Sequence, residues 1–315
     1  NGNNQQEMAR IIVTGATGFI GKALCFRLLE ENYEVVALSR SKTKGEKIFG
    51  TEVKVVEWDG RSSEGWLDYV GGAYAVVNLA GENIGSGRWT RKRKHSILQS
   101  RLDAGQAVLE AVKSVDRKPE VVIQASAVGY YGLHEDEVID ESFSAGGGFL
   151  ADVAKRWEHS TQEIETLDIR RVITRSGVVL GSEGSAFLRL VKPFRLFVGG
   201  RLGSGEQWFP WIHLEDEVKA ILFLLKRNDL QGAFNLTTPD QMRQKDFARL
   251  LGRTMKRPSW LPVPSFMLRL YLGEMAEEMI LSGQRVEARR LLEAGYRFTY
   301  PRADLALKEI LGKID

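Results

Sequence analysis

The sequence predicts an α/β protein built on a doubly wound parallel sheet. Short β-branched runs alternate with amphipathic helical segments between Met8 and Thr174, a glycine-rich turn joins the first strand to the first helix, and the pattern changes after Gly181. The expected strands are residues 11–13, 35–38, 53–56, 75–79, 121–123 and 171–173. Such runs, separated by helical spacing, suit strands covered on both faces. Right-handed crossovers then gather the loops that follow the strands along one edge, where sheets of this kind bind ligands.

Residues 8–181 are assigned to this sheet domain, rejoined by residues 206–235. Residues 182–205 and 236–315 are expected to form a smaller, mostly helical cap or substrate region. Residues 199–205 read as a glycine-rich loop, and helices are expected over 215–226, 246–254, 266–281 and 303–311. Four of the chain's eight prolines fall between Pro239 and Pro264, which suits connections between short elements.

Bulk composition removes several function classes. The chain has 44 basic against 41 acidic side chains, and a net charge of +3 is too small to imply nucleic acid or an anionic membrane as partner. A single cysteine, Cys25, excludes an intrachain disulfide and suits the cytoplasm or another reducing compartment. Placed in a helical segment, it reads as a core thiol. No apolar run is long enough to span a bilayer, and the polar residues 1–7 read as a tail. The histidines at 95, 134, 159 and 213 show no metal-ligand spacing, and Ser182 and Ser185 lie in no nucleophile elbow. The basic run 88–95 reads as a solvated helix start, since it lacks the interleaved aromatics of a single-strand RNA site.

The strongest chemical signal is Thr14-Gly15-Ala16-Thr17-Gly18-Phe19-Ile20-Gly21, which follows a strand and opens a helix. That context marks a Rossmann-type dinucleotide site. Gly15 permits the tight turn, Gly18 admits the pyrophosphate to the backbone, and Gly21 allows close helix–strand packing. Thr17, Phe19 and Ile20 complete the loop, and the helix N-terminus offers N–H groups and partial positive charge to the phosphates. An NAD site usually carries an acid at the end of the second strand. Here that strand runs into Ser39-Arg40-Ser41-Lys42, and the planar fork of Arg40 suits a 2′-phosphate. NADP(H) is the expected cofactor.

Four further segments carry a family resemblance: Asn78-Leu79-Ala80-Gly81-Glu82-Asn83-Ile84; Arg88-Trp89-Thr90 with Ser100-Arg101; Val128-Gly129-Tyr130-Tyr131-Gly132; and Phe209-Pro210-Trp211-Ile212-His213-Leu214. Together with the glycine loop, they make the chain similar to the extended short-chain dehydrogenases/reductases. Within these it resembles the atypical epimerase-family group, which is nucleoside-diphosphate-sugar epimerase-like. The resemblance runs from Ile11 to Leu311 and implies the fold, a nicotinamide cofactor and group membership.

It also implies roles for particular residues. Asp59 meets the adenine amino group or stabilises its own turn, Leu79 and Ala80 line the cofactor cleft, and Arg101 reaches back toward the cofactor phosphates. His213 with Asp216 reads as structural hydrogen bonding. The parent superfamily uses a Ser or Thr, a Tyr and a Lys, the last two spaced Tyr-x-x-x-Lys, with the lysine lowering the phenol's pKa. Lys155 takes the lysine position as a ribose-binding and catalytic group, but Ala151 stands where the tyrosine belongs. The hydroxyl position falls on Ala127, with Ser126 one place early. Tyr130 or Tyr131 is the candidate stand-in acid/base. Two readings follow: an NADP(H)-dependent oxidoreductase or epimerase acting on a small polar, sugar-like substrate, or a non-enzymatic NADP(H)-binding protein that regulates an interaction.

Overall fold

The computed structural model describes residues 8–314, and the polar segment 1–7 lies outside the described residues. Seven strands form one parallel sheet: β1 (Arg10–Thr14), β2 (Glu34–Ser39), β3 (Lys54–Glu57), β4 (Ala75–Asn78), β5 (Val121–Ala127), β6 (Arg170–Ser176) and β7 (Gly232–Leu236). Their spatial order is β7-β6-β5-β4-β1-β2-β3. The helices that matter to the site are α1 (Phe19–Glu30), α2 (Lys42–Phe49), α3 (Arg91–Lys113), α4 (Phe149–His159), α5 (Ser185–Arg195), α6 (Leu214–Lys226), α7 (Gln244–Met255), α8 (Ser265–Leu272) and α9 (Ala303–Gly312).

Alternation along the strands divides the core. Ile11, Val13, Val35 and Val77 meet Leu24 and Leu28 of α1 and Val218 and Ile221 of α6 on one face. Ile12, Val36, Val76 and Val122 meet Ala104, Ala107 and Val108 of α3 on the other. Burying both faces explains why these strands read as continuous apolar runs. The strand order reverses between β1 and β4, and the loops after those two strands open there, the usual ligand crevice of such a sheet. Cys25 is fully buried in α1, and burial pushes its thiol pKa up.

Two elements depart from the sequence reading. β7, Gly232-Ala233-Phe234-Asn235-Leu236, is a strand outside the expected set, because a leading glycine and a penultimate asparagine mask a short alternation. It pairs with β6 and buries Phe234 and Leu236. The single helix expected over 266–281 is broken: α8 stops at Leu272, and Gly273 takes φ +63°, outside the helical region. A short turn and a π-helical stretch, Glu277–Leu281, follow.

The cap core joins Phe187 and Val191 of α5, Phe247 and Leu251 of α7, and Leu307 and Ile310 of α9 around Trp211. Short pairings, such as Trp208–Phe209 against Met242–Arg243, add strand to a region expected to be mostly helical. Among the described residues no helix is long and apolar enough to cross a membrane. No group of His, Cys, Asp and Glu side chains suited to a metal occurs among them.

Candidate functional site

The glycine loop divides its work as the spacing requires. Gly15 sits at φ +64°, and a Cβ there would lie 2.9 Å from the Leu79 carbonyl carbon and oxygen. A Cβ on Gly21 would collide with the Gly15 carbonyl oxygen and approach Ala16 Cα at 2.8 Å. Those two glycines are packed from within the protein. Gly18 is different: it is exposed, and its Cβ would meet nothing but the Gly15 oxygen at 3.1 Å. It caps α1 without a side-chain hydrogen bond, and the first turn carries no acid. The loop is therefore open at the one glycine that a pyrophosphate would approach. Thr17, Phe19 and Ile20 are half-buried around it. Gly181 and Gly184 lie so close to the Phe19 ring that a Cβ on either would stand 2.8–2.9 Å from its Cζ. In the same segment Glu183 pairs with Lys22 of α1 at 2.5 Å.

The floor of the crevice is a row of buried polar side chains. Thr14 Oγ1 donates to Asn78 Oδ1 at 2.7 Å and accepts from the Leu79 and Ala80 amides at 3.1 Å each. Asn78 in turn donates to Gln124 at 2.9 Å. This row fixes the start of the loop after β4 against β1. At the end of β2, Ser39 Oγ donates to the Ser41 carbonyl at 3.0 Å, and Ser41 caps α2. Arg40 is exposed beside it and makes no ion pair among the described residues. Asp59 accepts from the Ser62 and Arg61 amides at 2.9 and 2.8 Å, bonds that hold its carboxyl below the usual range. The turn-stabilising role of Asp59 is the one its geometry displays.

Arg101 corrects its expectation. Its guanidinium is buried and donates to the carbonyls of Glu82 and Ile97 at 3.0 and 2.9 Å, with the Trp157 ring 4.8 Å away. It props the loop after β4 from beneath rather than reaching for phosphate. Burial lowers its pKa to about 10. The basic run holds the same loop: Arg93 bonds Glu82, the Asn83 carbonyl and Ser86, and Lys94 pairs with Glu274 at 2.8 Å. Arg88, Arg91, Lys92 and His95 are exposed where α3 begins, the solvated helix start that the sequence predicts.

The nominated catalytic residues differ in their surroundings. Lys155 is exposed on α4, one turn from each of the buried Ala151 and Glu158. Tyr131 is fully buried: its hydroxyl donates to Asn235 at 2.7 Å and accepts from Arg175 at 3.0 Å, and burial pushes its pKa to about 12. Ser126 is buried and spends its proton on Glu158 Oε1 at 2.6 Å. Tyr130 alone remains half-exposed, with the Arg175 guanidinium 3.5 Å from its ring centroid. Where the start of α4 meets the end of β5, the apolar Leu150 lies 3.3 Å from where a Gly129 Cβ would stand.

Glu158, Arg175 and Asn235 were missed by the sequence reading. Glu158 takes both Arg175 Nε and Nη2 at 2.9 Å, and Arg175 links on to Tyr131 and Asn235. A signal existed: Glu158 falls seven residues after Ala151 and four after Ala154, on the apolar stripe of α4. Glu278, from the π-helical stretch, was also missed; it accepts from the Phe149 and Leu150 amides at 2.8 and 2.7 Å and caps α4. His213 and Asp216 have structural partners: His213 caps α6 and meets Glu309 at 2.9 Å, and Asp216 accepts from the Thr299 and Tyr300 amides.

Comparison with known proteins agrees with this geometry. Residues 11–237 match the NAD dependent epimerase/dehydratase family, and residues 263–310 match a domain of unknown function, DUF1731. The epimerase family protein SDR39U1 homolog, chloroplastic, of Arabidopsis thaliana is 39% identical, over 98% of this chain and 88% of that protein. Epimerase family protein YfhF of Bacillus subtilis is 36% identical over 96% of this chain and 97% of its own. The crystal structure of human epimerase family protein SDR39U1 with NADPH superposes with a TM-score of 0.86 at 32% identity, covering 96% of this chain and 99% of that one. The glycine loop, the crevice at the strand-order reversal and the match over 11–237 lead to one assignment: the chain belongs to the NAD dependent epimerase/dehydratase family.

Proposed function

We propose that this protein binds NADP(H) and acts as an oxidoreductase or epimerase-like protein on a small polar, sugar-like molecule, without a tyrosine–lysine relay. The observation that carries the reading is the crevice itself: Gly18 is left open while Gly15 and Gly21 are packed, and Arg40 stands exposed at the end of β2 with no acid beside it. The residues fit the cofactor. The amides at the start of α1 would hold the pyrophosphate, and Ser39 and Arg40 the 2′-phosphate. The NADPH in the human SDR39U1 structure supports the same choice. When bound, the nicotinamide supplies hydride chemistry. Of the residues nominated from the sequence, the Tyr130 phenol is the one left to move a proton, since Tyr131 and Ser126 are committed to buried partners.

Titration of the purified chain should give NADP(H) affinity at least about tenfold above NAD(H), a gap of about 1.4 kcal/mol. Arg40→Asp should narrow or invert that gap, and equal affinities in the wild type would overturn the cofactor reading. A panel of carbonyl compounds and nucleotide sugars, read by NADPH absorbance, tests turnover, and Tyr130→Phe should depress it. Ala151 in the tyrosine position and the buried Tyr131 favour one second reading, in which cofactor occupancy regulates an interaction and no substrate changes the bound nucleotide.

A further inference from the structure

We infer that the cap carries a docking face for the surface of an anionic lipid bilayer. Two segments distant in sequence build it. Residues 185–205 hold Arg189, Lys192, Arg195 and Arg201, residues 251–272 hold Arg253, Lys256, Arg257 and Arg269, and neither segment contains an acid. The structure lays them side by side: Gly199 bridges Ser259, Leu202 bridges Val263, and Trp260 Nε1 donates to the Phe197 carbonyl at 3.1 Å. All eight basic side chains are exposed, with Arg269 paired to Glu277.

The apolar side chains of the same segments also face solvent. Phe266, Leu270 and Tyr271 of α8 are 67%, 76% and 83% exposed, and Trp260 is 66% exposed. Leu196, Phe197, Val198, Leu261 and Met267 are exposed with them. No residue of α8 is fully buried. On α8 the exposed positions 266, 267, 270 and 271 share one face, so the helix turns its apolar side outward. A helix with its apolar stripe toward water is the reverse of a globular surface helix. Large exposed apolar patches mark interaction sites.

Charge selects the occupant. A second copy meeting the same face would set this mainly basic surround, in which only Arg269 is paired with an acid among the described residues, against itself, and like charges oppose that pairing. Arginine and lysine around protruding Trp, Tyr, Phe and Leu side chains match the interface of an anionic membrane, where aromatic rings sit at headgroup level and basic groups meet lipid phosphate. The net charge of +3 hides this segregation, because the compensating acids lie elsewhere in the chain.

The test is co-sedimentation of the full chain with vesicles of phosphatidylcholine alone or mixed with phosphatidylglycerol. Binding should be at least about tenfold stronger to the anionic vesicles and be reversed by high salt. The double variant Leu270→Glu/Tyr271→Glu should lose it with an unchanged melting temperature, and Arg195→Glu/Arg257→Glu should weaken it. Equal binding to neutral vesicles, or full binding by the Leu270/Tyr271 variant, overturns the proposal. So does failure to bind vesicles at all. A concentration-dependent dimer that the same variant abolishes, without vesicle binding, assigns it to a second copy and overturns the proposal as well.

Discussion

Glu158 and Arg175 form a buried, two-pronged ion pair beneath the crevice, each nitrogen–oxygen contact 2.9 Å long. The pair ties α4 to β6. Through Arg175 it reaches Tyr131 and Asn235, so α4, the turn after β5, β6 and β7 share one polar network. Ser126 supplies a further proton to the same carboxylate. A chain that commits these groups to one another withdraws them from solution chemistry.

Removing one partner of a buried pair strands the other charge. Glu158→Ala should therefore cost about 3–5 kcal/mol of folding stability. Tyr131→Phe removes one hydroxyl from the same network and should cost about 1–3 kcal/mol. Urea unfolding of the two variants checks the order, and a Glu158→Ala protein as stable as the wild type would show that the pair does not hold the fold.

The glycine loop predicts a separation of folding from binding. Gly18→Val adds a side chain where the protein leaves space, so it should lower NADP(H) affinity at least about a hundredfold, or about 2.8 kcal/mol. Its effect on stability should stay near about 1 kcal/mol, the scale of a changed N-cap. Gly21→Ala drives a methyl into the Gly15 carbonyl and should cost about 1–3 kcal/mol by overpacking. Melting curves with and without NADPH distinguish the two; a Gly18→Val chain that still binds places the phosphates elsewhere.

Burial sets Arg101 apart from Lys155. Arg101 is buried on α3 between Ile97 and Ala104, whereas Lys155, at the same spacing from Ala151 and Glu158 on α4, is exposed. Arg101→Ala should therefore destabilise the cofactor-free protein by about 2–3 kcal/mol, because it removes hydrogen bonds from a charged donor to two carbonyls. Lys155→Met should change stability by no more than about 0.5 kcal/mol, as exposed substitutions do. It should weaken NADP(H) binding, the readout of a lysine that holds the nicotinamide ribose. Unchanged affinity would make Lys155 a surface residue.

What the sequence made legible follows from how each signal is encoded. The β1–α1 turn is local, and its glycines, flanking strand and helix lie within one short stretch, so its geometry could be read directly. The sheet was legible because both faces are buried and the strands become apolar runs. β7 was hidden, since Phe234 and Leu236 alternate with Asn235, whose side chain serves the Tyr131 network. The proton relay was harder to read. Ala151 takes the tyrosine's place in the Tyr-x-x-x-Lys spacing, and Tyr131 and Ser126 are bound to Asn235 and Glu158, partners distant in sequence. Arg101 and Glu158 both sit on stripes that their apolar neighbours mark as buried, a pattern carried by the residue order alone.

Glu217 is buried on α6, with its Oε1 accepting from Ser176 at 2.6 Å and its Oε2 without a partner. No cation offsets its burial, which pushes the carboxyl pKa from 4.5 up to about 8. The folded chain thus keeps the proton, whereas the unfolded chain releases it above the ordinary value. The contribution of Glu217 to stability is fully present below pH 4.5 and is lost as pH rises from 4.5 to about 8. The loss should be on the order of 3 kcal/mol, since each tenfold change in proton affinity is worth about 1.4 kcal/mol and relaxation recovers part of it. Glu217→Gln holds a neutral group at every pH and keeps an acceptor for Ser176. Its urea midpoint should therefore be flatter than that of the wild type across this window, and higher at pH 8. Parallel pH profiles for the two proteins would mean that the carboxyl ionises freely in the fold, and that water reaches it.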